Sequence, residues 1–183
     1  KRRKEDRIEN DALVSKYDHE TDSWIKIKRK DIGRGDILCL GKNDPVPADI
    51  LLVQTSLPGG LCSISTTNLD GETNLKIKRS FEEIDFMDCP NEQIEKAKFK
   101  KTLNGYIKGE PPNVRMGSNG WKGFLYYQNG EKSSTVALDM DQFLIRGTVI
   151  KNTDWIICLV IFVGNETKIQ QQDRMKKYIL KSS

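Results

Sequence analysis

One short polar segment of this chain combines side chains that could take part in hydrolysis. Asp70-Gly71-Glu72-Thr73, called here the DGET segment, places two carboxylates and a hydroxyl around a glycine. Carboxylates are common general acids and bases in enzymes, so the segment raises the question of whether Glu72 does chemistry. An Asp-Gly pair between two strand-like stretches is also a routine signal for a tight hairpin turn. The local residues alone leave both interpretations open.

The composition is that of one ordinary soluble domain. The chain has 183 residues, of which 37% are hydrophobic and 31% are charged, and its formal net charge is +4. That length is enough to bury a substantial core. Basic residues alternate with acidic ones, as in Lys4-Glu5-Asp6-Arg7, and they form no dense basic stripe with interleaved aromatic residues. The sequence therefore gives no reason to expect nucleic-acid binding.

The cysteine and histidine residues limit the chemistry that the chain can support. The 4 cysteines are too widely spaced for a Cys-x-x-Cys pair and are typical of free thiols in a reducing compartment. His19 is the only histidine, which disfavours a zinc site and His-based nucleophilic catalysis unless His19 itself takes part. The charged start has no apolar run behind it, which predicts no signal peptide and a soluble unit of the cytosolic type.

Many short strand-like stretches separated by turn residues predict a mainly β fold. The apolar run at residues 155–163 is far shorter than the roughly 20 residues of a membrane-spanning helix, so we expect a buried central strand. Further strands are predicted at residues 23–28, 37–40, 48–54, 61–66, 75–79, 106–108, 125–128, 135–138 and 143–151. Helices are predicted over residues 90–104 and 166–181, and residues 1–12 are either helical or a tether. This pattern is typical of an antiparallel barrel or jelly roll.

The DGET segment is accompanied by other short blocks in a fixed order. Asn74-Leu75-Lys76 extends it directly. The others, in chain order, are Val46-Pro47-Ala48-Asp49-Ile50-Leu51-Leu52, Gly105-x-Ile107, Glu110-x-Pro112-Asn113, Arg146-Gly147, Asn152-Thr153-x-Trp155 and Gly164-x-x-Thr167-Lys168. Together, over residues 24–168, they resemble the actuator domain of the type IV P-type ATPases, the phospholipid flippases. P-type ATPases generally carry Thr-Gly-Glu-Ser at this place, and Asp-Gly-Glu-Thr followed by Asn-Leu-Lys is the flippase form.

The chain departs from the family pattern at a few places. Leu103 precedes Asn104-Gly105 where the family usually has Phe, and Cys158 stands where the family often has Gly. Residues 115–141 match the pattern poorly. These positions concern packing and surface loops, so they bear on the subfamily rather than on the family.

The resemblance implies one actuator domain over residues 1–183. The implied fold is mainly β, with a distorted antiparallel jelly-roll or barrel-like core and a few peripheral helices. Residues 1–12 and 168–183 would be tethers toward membrane helices, and residues 114–142 a variable hairpin or insertion. The implied location is the cytoplasmic face of a membrane, as a domain of an integral membrane protein.

The resemblance also implies a mechanism for the DGET segment. In this family ATP phosphorylates an aspartate on another domain of the same polypeptide, and the actuator turn then promotes hydrolysis of that acyl phosphate. Glu72 would orient the attacking water and accept its proton. Gly71 would let the backbone approach the phosphoryl group, Thr73 would offer a hydroxyl, and Asp70 would brace the turn.

Two residues after the DGET segment receive supporting roles. Asn74 and Lys76 would contact the surroundings of the phosphoryl group, and a solvated surface role is an equal alternative for Lys76. The Val46-Pro47-Ala48-Asp49 block is predicted to be core and turn structure, with Pro47 fixing the turn.

The resemblance implies no cofactor or metal in this domain. The chain has no glycine-rich nucleotide loop and no Asp-Lys-Thr-Gly-Thr phosphorylation motif, so ATP and Mg²⁺ would serve the full-length enzyme and the excised domain would have no ATPase activity. The implied partners are the phosphorylation and nucleotide-binding domains and the membrane helices of the same polypeptide, a small glycosylated accessory subunit and a phospholipid substrate. Two alternatives stay open: the actuator domain of a cation-transporting P-type ATPase and a non-enzymatic β-rich binding module.

Overall fold

The computed structural model describes residues 2–80, 86–89, 93–100, 103–109, 120–163 and 176–181. Strands dominate these residues and pair in antiparallel sheets, so the predicted mainly β fold is confirmed. The exposed helix α1 (Arg2–Asp11) precedes the first strand, and the short helix α2 (Thr67–Asp70) lies between two strands.

The central sheet contains strands from both halves of the chain. Within the described residues its strands are β1 (Leu13–Asp18), β2 (Ser23–Lys28), β3 (Ile37–Gly41), β4 (Asp49–Thr55), β12 (Phe143–Leu144) and β14 (Trp155–Phe162). Their order across the sheet is β12-β4-β14-β3-β1-β2. Strand β14 therefore pairs with a strand on each side, as its continuous apolar sequence predicts.

Three smaller sheets complete the described fold. One contains β5 (Leu61–Ser65), β6 (Lys76–Arg79) and β13 (Val149–Lys151), in the order β13-β5-β6. A second contains β9 (Leu103–Gly109), β10 (Gly123–Asn129), β11 (Lys132–Leu138) and β15 (Lys176–Lys181), in the order β11-β10-β9-β15. The third pairs β7 (Met87–Asp88) with β8 (Lys98–Phe99).

Apolar side chains cover the central sheet on both faces. Alternate residues of a strand point to opposite faces, and β14 divides its side chains between two buried clusters accordingly. Ile157 and Leu159 belong to a cluster that also contains Ile107 of β9, whereas Ile156 belongs to a cluster that also contains Ile64 of β5. The sheet that contains β5 and β6 is thus anchored to the core through one face.

The two predicted helices are wrong in the residues that the structure describes. Within residues 90–104, Ile94–Lys96 form a single 3-10 turn, and strands β8 and β9 follow. Within residues 166–181, the final part is strand β15, which pairs with β9, and residues 166–175 lie outside the described residues. Pairing with distant strands decides the outcome in both places, and local helix propensity does not include that energy.

Two further differences concern strands. The predicted strand at residues 143–151 is two short strands, because a turn with Gly147 at φ +91° separates β12 from β13. Strand β1 was not predicted, since its buried residues, Val14 and Tyr17, do not alternate with period two.

Candidate functional site

The DGET segment lies in the connection between β5 and β6, residues 66–75. These strands pair antiparallel, with Ile64 opposite Lys76. Helix α2 forms the first part of the connection, and Gly71 ends it in the left-handed conformation, φ +73°, with its N–H donating to Thr67 O at 2.9 Å. The segment therefore joins two paired strands, but as the end of a helical turn and not as a tight two-residue hairpin.

Asp70 is the most extensively bonded side chain of the segment. Its carboxylate accepts the Glu72 N–H at 2.9 Å and the Thr66 hydroxyl, whose oxygen lies 3.0 and 3.1 Å from the two carboxylate oxygens. It also accepts the Lys76 ammonium at 3.2 Å. The Glu72 N–H first, then Lys76 and Thr66, hold the pKa of Asp70 below its usual value. These bonds tie Asp70, as a carboxylate, to both sides of the segment.

The Glu72 carboxylate faces solvent while its backbone is held. Its side chain is 56% exposed, and Oε2 lies 2.7 Å from Lys76 Nζ. The Thr67 hydroxyl donates to Glu72 O at 2.7 Å, and the Glu72 N–H is bound by Asp70. A second molecule or domain can therefore reach this carboxylate without any rearrangement of the chain around it.

The structure brings the charged groups of Asp70, Glu72 and Lys76 together, whereas the side chains of Thr73 and Asn74 take no part in this cluster. Thr73 and Asn74 are exposed, and neither side chain has a hydrogen-bond partner among the described residues. A Cβ placed on Gly71 would have no heavy atom within 4 Å, so the backbone there is open to an approaching group.

Sequence reasoning missed two threonines that shape the site. Thr66 is 9% exposed and binds Asp70, while Thr67 binds Glu72 O and lies 3.0 Å from Ser65 Oγ. The available signal was a pair of hydroxyl residues just before the acidic positions, because short hydroxyl side chains often bond to the backbone at helix starts and turns.

Two of the distant blocks support the connection from one side. A Cβ on Gly147 would lie 3.0 Å from Leu69 Cδ2, so only glycine lets this turn pack closely against α2. The neighbouring Arg146 N–H donates to Asp49 Oδ1 at 2.9 Å, which ties the turn to β4. Burial raises the pKa of Asp49 above its usual value, and the hydrogen bond and the charge of Arg146 offset only part of this increase.

Another block supports β5 directly. Thr153 is fully buried, and its hydroxyl donates to Lys151 O at 2.9 Å and accepts the Ser63 N–H at 3.3 Å. Val46 and Ala48 are buried in the core, as predicted for their block. The blocks at residues 110–113 and 164–168 lie outside the described residues.

The cysteine residues lie outside the DGET segment. Cys39, Cys62, Cys89 and Cys158 form no disulfide, as their spacing predicts, and burial raises the pKa of Cys39 to about 12. In the described part of the chain, no group of three or more His, Cys, Asp or Glu side chains could hold a metal ion. None of the described helices is long and apolar enough to cross a membrane.

The fold and the DGET segment define a class of protein: a β-rich domain that presents a braced acidic segment at its surface. The chain matches no protein-family model. It is 41% identical to Phospholipid-transporting ATPase IC of Homo sapiens over 82% of this chain and 11% of that protein. It is 36% identical to Phospholipid-transporting ATPase DRS2 of Saccharomyces cerevisiae, over 92% of this chain and 12% of that protein. It is 37% identical to Phospholipid-transporting ATPase dnf2 of Schizosaccharomyces pombe, over 76% of this chain and 10% of that protein.

The chain therefore belongs to the family of the type IV phospholipid-transporting ATPases. It spans between 10% and 12% of the length of these three relatives. The match thus covers one segment of much longer proteins, and their names describe those whole proteins.

Proposed function

We propose that this chain is the actuator domain of an ATP-driven phospholipid-translocating ATPase. Its DGET segment promotes hydrolysis of an aspartyl phosphate formed on another domain, and movement of the chain couples that hydrolysis to lipid translocation. The observation that carries the proposal is the Glu72 carboxylate, which is 56% exposed on a backbone that Asp70 and Thr67 hold in place.

The geometry suits a general base that acts on a group from outside the chain. Hydrolysis of an acyl phosphate needs a water molecule in line with the departing carboxylate and a group that orients the water and takes its proton. Glu72 supplies that group. Open space at Gly71 allows close approach of the phosphoryl group, and the free Thr73 hydroxyl can donate to it. A carboxylate base also explains how the site functions without histidine.

The surroundings of the segment favour contact with another domain. Leu69, Leu75 and Ile77 flank the DGET segment in sequence and are 48%, 45% and 60% exposed. Exposed apolar side chains mark interaction sites where they are grouped at a surface, and these three lie close together in the sequence. Glu72 would then contribute one half of an active site whose phosphate-bearing half lies on the phosphorylation domain.

The rest of the machinery would lie outside this chain. ATP and Mg²⁺ would be bound by the nucleotide-binding and phosphorylation domains, which supply the phosphoryl group; the excised chain has no ATPase activity. Residues 1–12, which include the exposed helix α1, and residues 168–183, which include strand β15, would be the tethers that connect the domain to membrane helices at the cytoplasmic face. Within the membrane part, the partners would be the phospholipid and a small glycosylated accessory subunit.

The names of the relatives favour lipid as the cargo over a cation. All three relatives are named for phospholipid transport, and the Asn74-Leu75-Lys76 extension is the form that the flippases carry. Similarity to these ATPases also disfavours an unrelated β-rich binding module. Among the residues that the structure describes, no contact supports either alternative.

The test is Glu72→Gln in the full-length polypeptide that carries this segment. The enzyme is phosphorylated with labelled ATP, and the decay of the phosphoenzyme is followed after an unlabelled chase. Loss of the base should slow decay by about 10²–10⁴-fold, with phosphoenzyme formation retained and lipid transport stopped. Glu131→Gln, an exposed glutamate in the β10–β11 turn, is the matched control and should decay normally. Normal decay in Glu72→Gln would overturn the proposal.

A further inference from the structure

Lys76 lies between the two carboxylates of the DGET segment. Its Nζ is 2.7 Å from Glu72 Oε2 and 3.2 Å from Asp70 Oδ2. Lys76 is also the first residue of β6, where the backbone is fixed by pairing with Ile64 of β5. The ammonium therefore reaches Glu72 from a backbone position that the sheet holds, whereas Glu72 itself lies in the connection.

Asp70 keeps the ammonium near Glu72 and is itself held without Lys76. The Thr66 hydroxyl and the Glu72 N–H both donate to the Asp70 carboxylate. Hydrogen bonds to Glu72 and then to Asp70 raise the pKa of Lys76, so its ammonium stays charged at neutral pH. The Asp70 carboxylate therefore holds the Lys76 ammonium beside the Glu72 carboxylate.

The contact with Lys76 uses only one oxygen of the Glu72 carboxylate. Lys76 contacts Oε2, and within the part of the chain that the structure describes Oε1 has no partner. Exposed ion pairs contribute little to stability, so this pair is poorly suited to a structural role. It does restrict the rotation of the carboxylate, since one oxygen is drawn toward β6 and the other is left for solvent.

We infer that Lys76 is a positioning residue for Glu72: it holds Oε2, so that Oε1 faces the water molecule that attacks the phosphoryl group. This inference rests on the proposed function. In that step the water oxygen bonds to phosphorus, its proton goes to Glu72 Oε1, and the bond between phosphorus and the aspartyl oxygen breaks with its electron pair left on the aspartate. Lys76 keeps its protons throughout and acts only through Glu72.

The first experiment removes the charge of Lys76 and keeps an unbranched side chain of similar length. In the full-length polypeptide, Lys76→Met should slow phosphoenzyme decay roughly tenfold, because a misplaced catalytic group loses much of its advantage. Lys76→Arg should recover decay to within about threefold of wild type, since a guanidinium can also bind carboxylate oxygens. Lys98→Met, an exposed lysine on strand β8, is the control and should have no effect.

The second experiment asks whether Lys76 acts through Glu72. In a Glu72→Gln background the residual decay is slow but measurable over longer times, and Lys76→Met should change it less than about twofold, because the group that Lys76 positions is gone. Equal slowing in both backgrounds would overturn the inference, as would normal decay in Lys76→Met alone. Normal decay in Glu72→Gln would instead overturn the proposed function, so the two failures are distinguishable.

Discussion

Strand β14 and the β5–β6 connection differ in almost every physical respect. In β14, residues 156–161 are at most 1% exposed and pack into clusters on both faces of the central sheet. In the connection, Thr66 alone is buried, and Glu72 is held by hydrogen bonds with its carboxylate in solvent. The strand depends on apolar packing and the connection on polar bracing. The comparison indicates that this chain separates the residues that stabilise it from those proposed to do chemistry.

The largest expected effect is in β14. Leu159 is fully buried, so Leu159→Ala should lower the free energy of unfolding of the chain by about 2–5 kcal/mol through lost burial and a residual cavity. Guanidinium denaturation followed by circular dichroism measures the change. Ile77→Ala, at a residue that is 60% exposed beside the DGET segment, should change it by about 0.5 kcal/mol or less. Equal losses of stability in the two variants would contradict the separation of stabilising residues from those proposed to do chemistry.

Two glycines with similar positive φ values provide a second comparison between the packed and the open parts of the chain. Gly60 has φ +69° and Gly71 φ +73°, but a Cβ on Gly60 would lie 2.1 Å from Ser80 Oγ, while one on Gly71 would meet no atom within 4 Å. Gly60→Ala should therefore cost roughly 2–4 kcal/mol from strain and overlap together, and Gly71→Ala about 1–2 kcal/mol from strain alone. The same denaturation assay on both variants gives the difference, and a larger cost at Gly71 would contradict the open site.

A smaller effect is the pH dependence of stability that we expect from His19, which packs against the apolar core. Burial lowers the pKa of His19 from 6.5, and its ring packs near Tyr17 and Phe99 with centroids 5.2 and 5.4 Å apart. The unfolded chain then binds the proton more readily, so stability should fall as pH drops below 6.5 and stop falling below the pKa of the folded state. Because His19 is the only histidine, His19→Gln should flatten the unfolding free energy between about pH 7 and 5. An unchanged slope would show that another group is responsible.

The smallest expected effect is at the centre of the proposed site. Glu72→Gln in the isolated chain should leave the free energy of unfolding within about 0.5 kcal/mol of wild type, because an exposed side chain adds little to stability. Thermal and guanidinium unfolding would both report it. A loss of stability as large as that expected for Leu159→Ala would mean that Glu72 has a structural role. Slower phosphoenzyme decay in Glu72→Gln could then not be assigned to the loss of a general base.

Much of the fold and part of the site were predictable from sequence. The apolar run at residues 155–163 predicted β14, and alternation or turn residues predicted β2, β3, β4 and β10 because their signals are local. The helices predicted over residues 90–104 and 166–181 are wrong where the chain forms strands instead. There the pairing of β8 with β7 and of β15 with β9 outweighs helix propensity. For the candidate site, the sequence predicted a role for Glu72 and for Asp70, but it did not point to Thr66 or Thr67, which hold these two residues in the structure.

By itself, the sequence determined the strand-rich pattern, the buried central strand and the ordered blocks that place the chain in its family, because each is encoded in residue type and short-range spacing. Tertiary structure alone decided how the blocks meet. Asp49 binds the backbone of Arg146, Leu69 packs over Gly147, and Thr153 holds β5 through Ser63. It also decided that Lys76 bridges Asp70 and Glu72, since a strand end must stand beside a helical turn before the three charges can meet. These contacts depend on the folded path of the chain, which no local pattern specifies.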